Sequence, residues 1–280
     1  MIGQTISHYK ILEKLGEGGM GVVYKAEDTK LKRTVALKFL SHHSLPSQNL
    51  RTRFLHEARA AAALRHAGIC TIYEIDEVDE KVFIAMEHIE GCTLREKIAS
   101  GPMLLEEAVD IAMQVAAALG EAHEKGILHR DIKPENIMLT EKRQPVVMDF
   151  GLAKSVKGTE ITTAGTLLGT AAYMSPEQVQ DTEVDHRTDI WSLGVLLYEM
   201  IAGRAPFQGE RAHTLMYLIV NQEPEPLRTT RPGLPLELER VVEKMLAKGP
   251  EDRYQSAAEL VADLKKLQPV SPQVSRGGLH

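Results

Sequence analysis

Cysteine and long apolar runs are scarce in this 280-residue sequence, and each scarcity excludes a class of protein. Its 2 cysteines are too few for a disulfide-stapled secreted domain, and they fit a reducing compartment. The longest apolar stretch, Ile190 to Ile201, contains Ser192 and Glu199 and is much shorter than the roughly 20 residues of a membrane span. Residues 1–10 lack the basic and apolar segments of a signal peptide. We therefore expect a cytoplasmic chain, either whole or the cytoplasmic part of a longer membrane-anchored protein.

An excess of positive charge is absent as well. The 33 Lys and Arg residues are outnumbered by 39 Asp and Glu residues, which gives a formal net charge of −6. This balance excludes a strongly basic surface over the whole chain, so we expect no nucleic-acid partner. Apolar residues make up 43% and charged residues 26%, a composition typical of globular rather than disordered proteins.

The local patterns change near residue 90. Before it, turn residues separate short β-forming runs, namely Tyr9–Leu15, Val22–Glu27, Thr34–Leu40, Cys70–Asp76 and Lys81–Met86. One Ala-rich helix, from about Asn49 to His66, interrupts them. After residue 90 helical periodicity prevails, and the proline-rich stretch 224–235 predicts surface loops. The sequence therefore predicts an α+β fold, with a small β-rich lobe followed by a larger helical lobe.

A glycine-rich run, GEGGMG at residues 16–21, follows the first strand-like segment. A dinucleotide-binding turn would need a helix after the last glycine, but the β-forming residues Val22 to Ala26 follow instead. The run therefore predicts the tip of a hairpin, where backbone N–H groups can approach phosphates. A flexible hairpin turn without a ligand explains the same run equally well.

Lys38 lies between apolar neighbours in a run that predicts a buried strand. A buried lysine needs a partner of opposite charge, and the candidate is Glu57, 19 residues later on the predicted helix. The alternative, which is the more common arrangement for a lysine, is an edge-strand side chain that points to solvent.

The most informative segments are HRDIKPEN, residues 129–136, and DFG, residues 149–151. They place four polar side chains within 19 residues: Asp131, Lys133, Asn136 and Asp149. Phosphoryl transfer needs a carboxylate for the hydroxyl proton, oxygen ligands for Mg²⁺ and a cation for the developing charge. Because the cluster contains all three, it predicts a phosphoryl-transfer site rather than a solvated turn.

These motifs, in this order, resemble those of the eukaryotic-like (Hanks-type) serine/threonine protein kinases of bacteria. The resemblance covers residues 9–267, and the strings GEGGMGVVYKA and GTAAYMSPEQ are similar to those of bacterial members. It implies a bilobal protein-kinase fold, with lobes at 9–88 and 89–267 and a flexible tail at 268–280. It also implies an ATP-dependent protein-serine/threonine kinase that uses Mg²⁺ or Mn²⁺, autophosphorylates on its activation segment and acts in signalling.

The resemblance assigns an ATP site to the cleft between the lobes. The glycine loop would cover the phosphates, Lys38 would bind the α- and β-phosphates with support from Glu57, and the hinge after the gatekeeper Met86 would bind adenine. The implied ATP-binding residues are Leu15, Gly16, Glu17, Gly18, Gly19, Gly21, Val23, Ala36, Lys38, Glu57, Met86, Glu87, Ile89, Met138 and Asp149.

The same resemblance implies catalytic roles. Asp131 would accept the proton of the substrate hydroxyl, and Asn136 and Asp149 would hold Mg²⁺. Lys133 is similar to the lysine of the Ser/Thr-specific branch, so the expected acceptors are Ser and Thr. Lys38 is the remaining residue that the resemblance implies to be catalytic.

Four further residues are expected to be structural by resemblance. Glu177 would form a buried ion pair with Arg253, and Asp189 would brace the catalytic loop. Thr170 would contact Asp131 and Lys133. Ser175, in the string Ser175-Pro176-Glu177, stands where the family usually has alanine.

Charge spacing suggests regulation by phosphorylation. Arg130 precedes the catalytic aspartate, and Lys154 and Arg53 lie at positions expected to converge on it. Three cations would repel one another unless a phosphate neutralised them. The predicted acceptor is Thr166, with Thr162 and Thr163 next. Solvated surface cations are the alternative.

Two other functional classes remain open from the sequence. One is a binding module of the same fold without activity, and the other is a phosphotransferase for a small molecule. Retention of the catalytic cluster disfavours the first, and the 29-residue activation segment from Asp149 to Glu177 disfavours the second. The expected partners are ATP and protein substrates, with a homodimer for trans-autophosphorylation as a family-level expectation.

Overall fold

The computed structural model describes residues 1–18, 21–40, 48–79, 81–150 and 171–268. In the helix after residue 47, the side chains of Gln48, Leu50 and Arg53 are excluded from the description. Within the described residues, no helix is both long and apolar enough to cross a membrane.

A six-stranded antiparallel sheet forms the amino-terminal lobe, in the order β1-β2-β3-β4-β6-β5. Its strands are β1 (Thr5–Ile6), β2 (Tyr9–Gly18), β3 (Gly21–Asp28), β4 (Arg33–Leu40), β5 (Ile72–Val78) and β6 (Lys81–Glu87). The predicted strands are therefore present, although most are one to three residues longer. The aromatic side chains of Tyr9, Phe39 and Phe83 pack together on one face of this sheet.

The described glycines of the glycine-rich run lie at the end of the β2–β3 hairpin, as predicted, with Gly18 opposite Gly21. Gly21 has a φ of +140°, and a Cβ there would lie 1.8 Å from the carbonyl oxygen of Phe39. Only glycine permits this approach of β3 to β4.

Helix α1 (Gln48–Ala62) packs on the other face of the sheet, where Phe54 and Ala58 are fully buried. It ends four residues before the predicted His66, because tight i→i−3 hydrogen bonds at Ala63 and Leu64 turn the chain.

The chain enters β5 two residues later than predicted, because Cys70 is bonded elsewhere. Its N–H donates to the carbonyl oxygen of Val147 (2.9 Å), and the N–H of Val147 donates to that of Gly68 (2.9 Å). These bonds tie the amino-terminal lobe to the second sheet.

That second sheet has three short strands, β7 (Gly91–Thr93), β8 (Ile137–Thr140) and β9 (Pro145–Val147), and it is antiparallel. A short 3-10 helix (Pro134–Asn136) precedes β8. The HRDIKPEN segment therefore leads into this sheet, and the DFG segment follows it.

The carboxy-terminal lobe is helical. Its helices are α2 (Leu94–Ala99), α3 (Leu105–Glu124), α4 (Pro176–Val179), α5 (Arg187–Ala202), α6 (Ala212–Asn221), α7 (Leu227–Thr230), α8 (Leu236–Met245) and α9 (Ala257–Lys266), with a 3-10 turn at Pro250–Asp252. Helix α5 is buried from Thr188 to Ile201, so it forms the centre of the lobe. The prediction of surface loops at 224–235 was wrong for α7, because the buried Leu227 anchors a helical turn there.

Candidate active site

Lys38 and Asp149 meet between the two lobes. Lys38 on β4 is 6% exposed, and its Nζ lies 2.7 Å from Oδ2 of Asp149, 111 residues away in sequence. The alternative that Lys38 points to solvent is therefore wrong. Burial alone would raise the pKa of Asp149, but the Lys38 ammonium lowers it below the ordinary value, so the carboxylate is ionised at neutral pH.

The predicted pairing of Lys38 with Glu57 stays a prediction. Glu57 lies on α1 and is half-buried. The ion pair described for the Lys38 ammonium is the one with Asp149.

The catalytic-loop side chains converge on Asp131. Nζ of Lys133 donates to Oδ2 of Asp131 at 2.8 Å. Nδ2 of Asn136 donates to the backbone oxygen of Asp131 at 2.8 Å and to its Oδ2 at 3.1 Å. These bonds fix the orientation of the Asp131 carboxylate, and they turn the amide oxygen of Asn136 away from it.

The buried carboxylate of Asp189 holds the backbone of this loop. It accepts hydrogen bonds from the N–H groups of His129 (2.9 Å) and Arg130 (2.7 Å), and from Nε2 of His123 (2.8 Å). Burial would raise the pKa of Asp189, but the bond from His123 and the other donors lower it. His123, on α3, is a contributor that sequence reasoning missed, and no local motif marks it.

His129 is a buried scaffold residue. Its Nε2 is 2.8 Å from the carbonyl oxygen of Met148, which can only accept, so Nε2 carries the proton. Its Nδ1 therefore accepts from the N–H of Asp131 (3.2 Å). The ring also meets the edge of Phe150 at a centroid distance of 4.8 Å. Both ring nitrogens are engaged within the protein, which leaves neither for proton transfer to a substrate.

The expected adenine pocket lies beside the Lys38–Asp149 pair. Ala36 pairs with Met86 across β4 and β6, and both are buried. Val23 and Ile89 pack against the cluster that contains them. Glu87 ends β6, and Met138 lies on β8 of the second sheet.

The glycine loop leaves open space above this pocket. A Cβ at Gly16 or Gly18 would meet nothing within 4 Å, so the backbone is accessible to a ligand there. Leu15 is 47% exposed, and Glu17 accepts a hydrogen bond from Lys14 at 2.5 Å.

Below the loop, Glu177 and Arg253 form a buried bidentate ion pair, with distances of 2.7 and 2.9 Å. Arg253 also donates to the carbonyl oxygens of Ala247 (2.8 Å) and Lys248 (3.0 Å). Burial would raise the pKa of Glu177, but the guanidinium lowers it below the ordinary value.

A second network of charges was missed from the sequence. Arg95 on α2 donates to Glu135 (2.8 Å), to Glu199 (2.7 Å) and to the hydroxyl of Tyr173 (2.6 Å), and that hydroxyl also donates to Glu199. These residues lie far apart in sequence, so only the fold brings them together beside the catalytic loop.

Several predicted residues lie outside the described part of the chain. These are Gly19, Lys154, Thr162, Thr163, Thr166 and Thr170, together with the side chain of Arg53. The predicted convergence of cations on Arg130 therefore stays a prediction.

The geometry defines a class of protein. The antiparallel β lobe carries a buried lysine, and this lysine pairs with an acidic residue of the helical lobe. Beside the pair lies a loop that contains Asp, Lys and Asn. This is the architecture of a protein kinase. The protein kinase domain model matches residues 9–264, so the chain belongs to this family.

Relatives specify the branch. The chain is 39% identical over 277 residues to the serine/threonine-protein kinase PknB of Mycobacterium tuberculosis, and 39% identical over 267 residues to PrkC of Bacillus subtilis. Each alignment covers 95% of this chain but only 44% and 41% of those relatives. The solved kinase domain of M. tuberculosis PknI is similar in fold, with a TM-score of 0.79 at 28% identity, over 95% of this chain and 98% of that one.

These similarities confirm the predicted fold and family, that of a bacterial Hanks-type serine/threonine protein kinase domain. Protein kinases use ATP and a divalent metal ion to phosphorylate proteins. The chain spans about two fifths of the length of the curated relatives that it matches.

Proposed function

We propose that the cluster around Asp131 and Asp149 transfers the γ-phosphoryl group of ATP to Ser or Thr hydroxyls of proteins. The observation that carries this proposal is the Lys38–Asp149 ion pair of 2.7 Å. It places a cation and a carboxylate from different lobes at one point, beside the oriented carboxylate of Asp131. Lys38 holds the α- and β-phosphates, and the backbone of the glycine loop covers them.

The oxygen donors beside this pair fit a divalent cation. Mg²⁺ prefers oxygen ligands and is usually held by one or two carboxylates together with phosphates and water. Asp149 is ionised, since its pKa is lowered, and the amide oxygen of Asn136 is turned away from Asp131. Asn136 and Asp149 would therefore hold Mg²⁺, or Mn²⁺, which when bound would neutralise charge on the phosphates.

Asp131 accepts the proton of the substrate hydroxyl as the phosphoryl group moves. The hydrogen bond from Lys133 to the same carboxylate, 2.8 Å long, orients it and places a positive charge beside the transferring group. Because phosphoryl transfer depends mainly on positioning and charge neutralisation, these fixed contacts are the ones that matter most.

An Asp131→Asn variant tests the proposal. Loss of a proton-accepting group lowers turnover by about 10²–10⁴-fold, and the fold should persist because Asn is similar in size. The measurement is transfer of radiolabel from ATP to a Ser/Thr peptide with Mg²⁺. Asp181→Asn, a change at an exposed acid of the helical lobe, is the matched control.

Two outcomes would contradict the proposal. Turnover near that of the wild type in Asp131→Asn would remove Asp131 from the role of proton acceptor. ATP binding without any transfer by the wild-type chain would favour the alternative of an inactive binding module.

We also propose autophosphorylation on Thr166, Thr162 or Thr163, within a homodimer that acts in signalling. Trans-phosphorylation needs two copies to meet, so the rate per molecule should rise with protein concentration. Mass spectrometry of active protein should find phosphate between residues 159 and 170, and an unmodified segment would contradict this. The cytoplasm, which supplies ATP and keeps thiols reduced, is the proposed location.

A further inference from the structure

Helix α4, which begins at Pro176 near the end of the predicted activation segment, starts with a capping box. Ser175 supplies its hydroxyl oxygen to the N–H of Gln178 (3.3 Å), and the N–H of Ser175 donates to Oε1 of Gln178 (3.0 Å). This reciprocal arrangement satisfies two N–H groups at the helix start. It also gives a local reason for serine at the position where the family usually has alanine.

The other atom of the same amide reaches the catalytic loop. Nε2 of Gln178 donates to the carbonyl oxygen of Arg130 at 2.9 Å, across 48 residues of sequence. One side chain therefore caps α4 with its oxygen and binds the catalytic loop with its nitrogen. A cap alone requires only the oxygen, so the nitrogen contact is a separate feature.

The backbone of Arg130 adopts a conformation that its neighbours must stabilise. Its φ is +66°, in the left-handed region that a non-glycine residue rarely adopts. Asp189 binds its N–H at 2.7 Å, and Gln178 binds its carbonyl oxygen. The peptide groups on both sides of this residue are thus fixed, and the next residue is Asp131.

A further hydrogen bond connects α4 to α5, so that α4, α5 and the catalytic loop form a closed set of contacts. The hydroxyl groups of Ser175 and Thr188 are hydrogen-bonded, and Thr188 precedes Asp189 on α5. The start of α4, the start of α5 and the catalytic loop therefore hold one another through buried or half-buried polar groups.

We propose that Gln178 is a positioning residue, which sets the orientation of Asp131 by binding the carbonyl oxygen of Arg130. This inference rests on the proposed role of Asp131 as proton acceptor. It assigns to the residue after Ser-Pro-Glu a link between the end of the activation segment and the catalytic loop.

Two substitutions separate this role from capping. Gln178→Glu keeps the oxygen acceptor for Ser175 but replaces the donor to Arg130 with a second oxygen, which the carbonyl repels. Gln178→Met is similar in size and removes both contacts. Glu96→Gln is the matched control, because Glu96 completes the capping box of α2 with Thr93. This variant replaces a carboxylate with an amide, which is the reverse of the change in Gln178→Glu.

The expected results differ between stability and turnover. Gln178→Glu should lower the unfolding temperature less than Gln178→Met does, because it keeps the cap of α4 and places a negative charge at a helix N-terminus. It should lower kcat roughly 3- to 10-fold, the factor that corresponds to one hydrogen bond, while KM for ATP stays unchanged. Gln178→Met should lower both kcat and the unfolding temperature, and Glu96→Gln should leave kcat unchanged.

Hydrogen exchange gives a readout that does not need activity. Amide exchange in residues 127–133, measured by mass spectrometry, should become faster in both Gln178 variants and stay unchanged in Glu96→Gln. Wild-type kcat or wild-type exchange in Gln178→Glu would overturn the proposal. If the wild-type chain transfers no phosphate, the proposed function is wrong, and the exchange data still decide whether Gln178 holds the loop.

Discussion

Replacement of Arg253 by methionine tests whether the buried ion pair below the catalytic loop stabilises the fold. The side chain of Arg253 is fully buried and that of Glu177 is 6% exposed. Methionine fills much of the same volume, but it leaves the Glu177 carboxylate without its cation and the carbonyl oxygens of Ala247 and Lys248 without this donor.

The magnitude follows from the burial. Removal of one partner of a buried ion pair typically costs about 3–5 kcal/mol, because an uncompensated charge stays inside the protein. In a chain of this length each kcal/mol lowers the unfolding temperature by roughly 2–4 °C. We therefore expect the Arg253→Met variant to unfold about 6–20 °C below the wild type at pH 7.

The pH dependence has a definite sign. In the wild type the pKa of Glu177 lies below its ordinary value of 4.5, so the pair stabilises the fold above that pH and stops doing so as the pH falls through the lowered pKa. In the variant, burial without the cation raises the pKa above 4.5 instead. Protonation then relieves the variant, so the stability difference should be largest near pH 7 and shrink below about pH 5.

Denaturant unfolding at pH 7 and pH 4, followed by circular dichroism, measures both effects. Arg204→Met is the matched control, because Arg204 and Glu225 form an ion pair whose side chains are 42% and 41% exposed. Such a pair contributes at most about 1 kcal/mol. If Arg253→Met loses no more stability than Arg204→Met at pH 7, the reasoning about the buried pair is refuted.

Three further predictions concern the upper part of the site. Lys38→Met should abolish autophosphorylation while the fold persists; transfer at a normal rate, measured with radiolabelled ATP, would show that the ion pair is dispensable. Gly21→Ala should destabilise the chain by more than about 1 kcal/mol, since its Cβ would lie 1.8 Å from the oxygen of Phe39, whereas a Cβ at Gly16 meets nothing; equal denaturation midpoints for the two alanine variants would contradict this. Cys92 lies on β7 beside Thr93, which pairs with the predicted adenine-pocket residue Met138, and it is exposed whereas Cys70 is buried; ATP should therefore slow alkylation of Cys92, and equal rates with and without nucleotide would place it away from the pocket.

Local patterns were sufficient to predict the amino-terminal lobe. Alternating apolar residues and turn signals predicted the long strands, because a period of two places one face of each strand in the core. The β-forming residues after Gly21 predicted the hairpin, which a helix would have excluded. Strands β7 and β9 were not predicted, because three residues are too few to show any period.

The catalytic cluster was predictable for a different reason. Asp131, Lys133 and Asn136 lie within six residues, so their proximity needs little help from the fold. The contact of Lys38 with Asp149 could not be predicted from sequence spacing, because the two residues lie 111 positions apart and only the fold brings them together.

The Arg95 network shows more clearly which contacts the sequence alone cannot predict. Arg95 is on α2, Tyr173 lies after the DFG segment and Glu199 is near the end of α5. Each alone resembles an ordinary surface residue of a globular protein. Only the packing of α2 against the catalytic loop puts Arg95 between Glu135 and Glu199, so charge pairing of this kind requires coordinates.

Backbone strain marks the site only in combination with burial. Of the seven described non-glycine residues with positive φ, five are exposed, whereas Arg130 and Asp149 are half-buried at the site. Each such conformation costs about 1–3 kcal/mol and persists only where its surroundings enforce it. The residues just before them supply that enforcement, because the His129 ring donates to the carbonyl oxygen of Met148 at 2.8 Å. One buried imidazole therefore links the two strained turns, because its Nε2 donates to the carbonyl oxygen before Asp149 and its Nδ1 accepts from the N–H of Asp131.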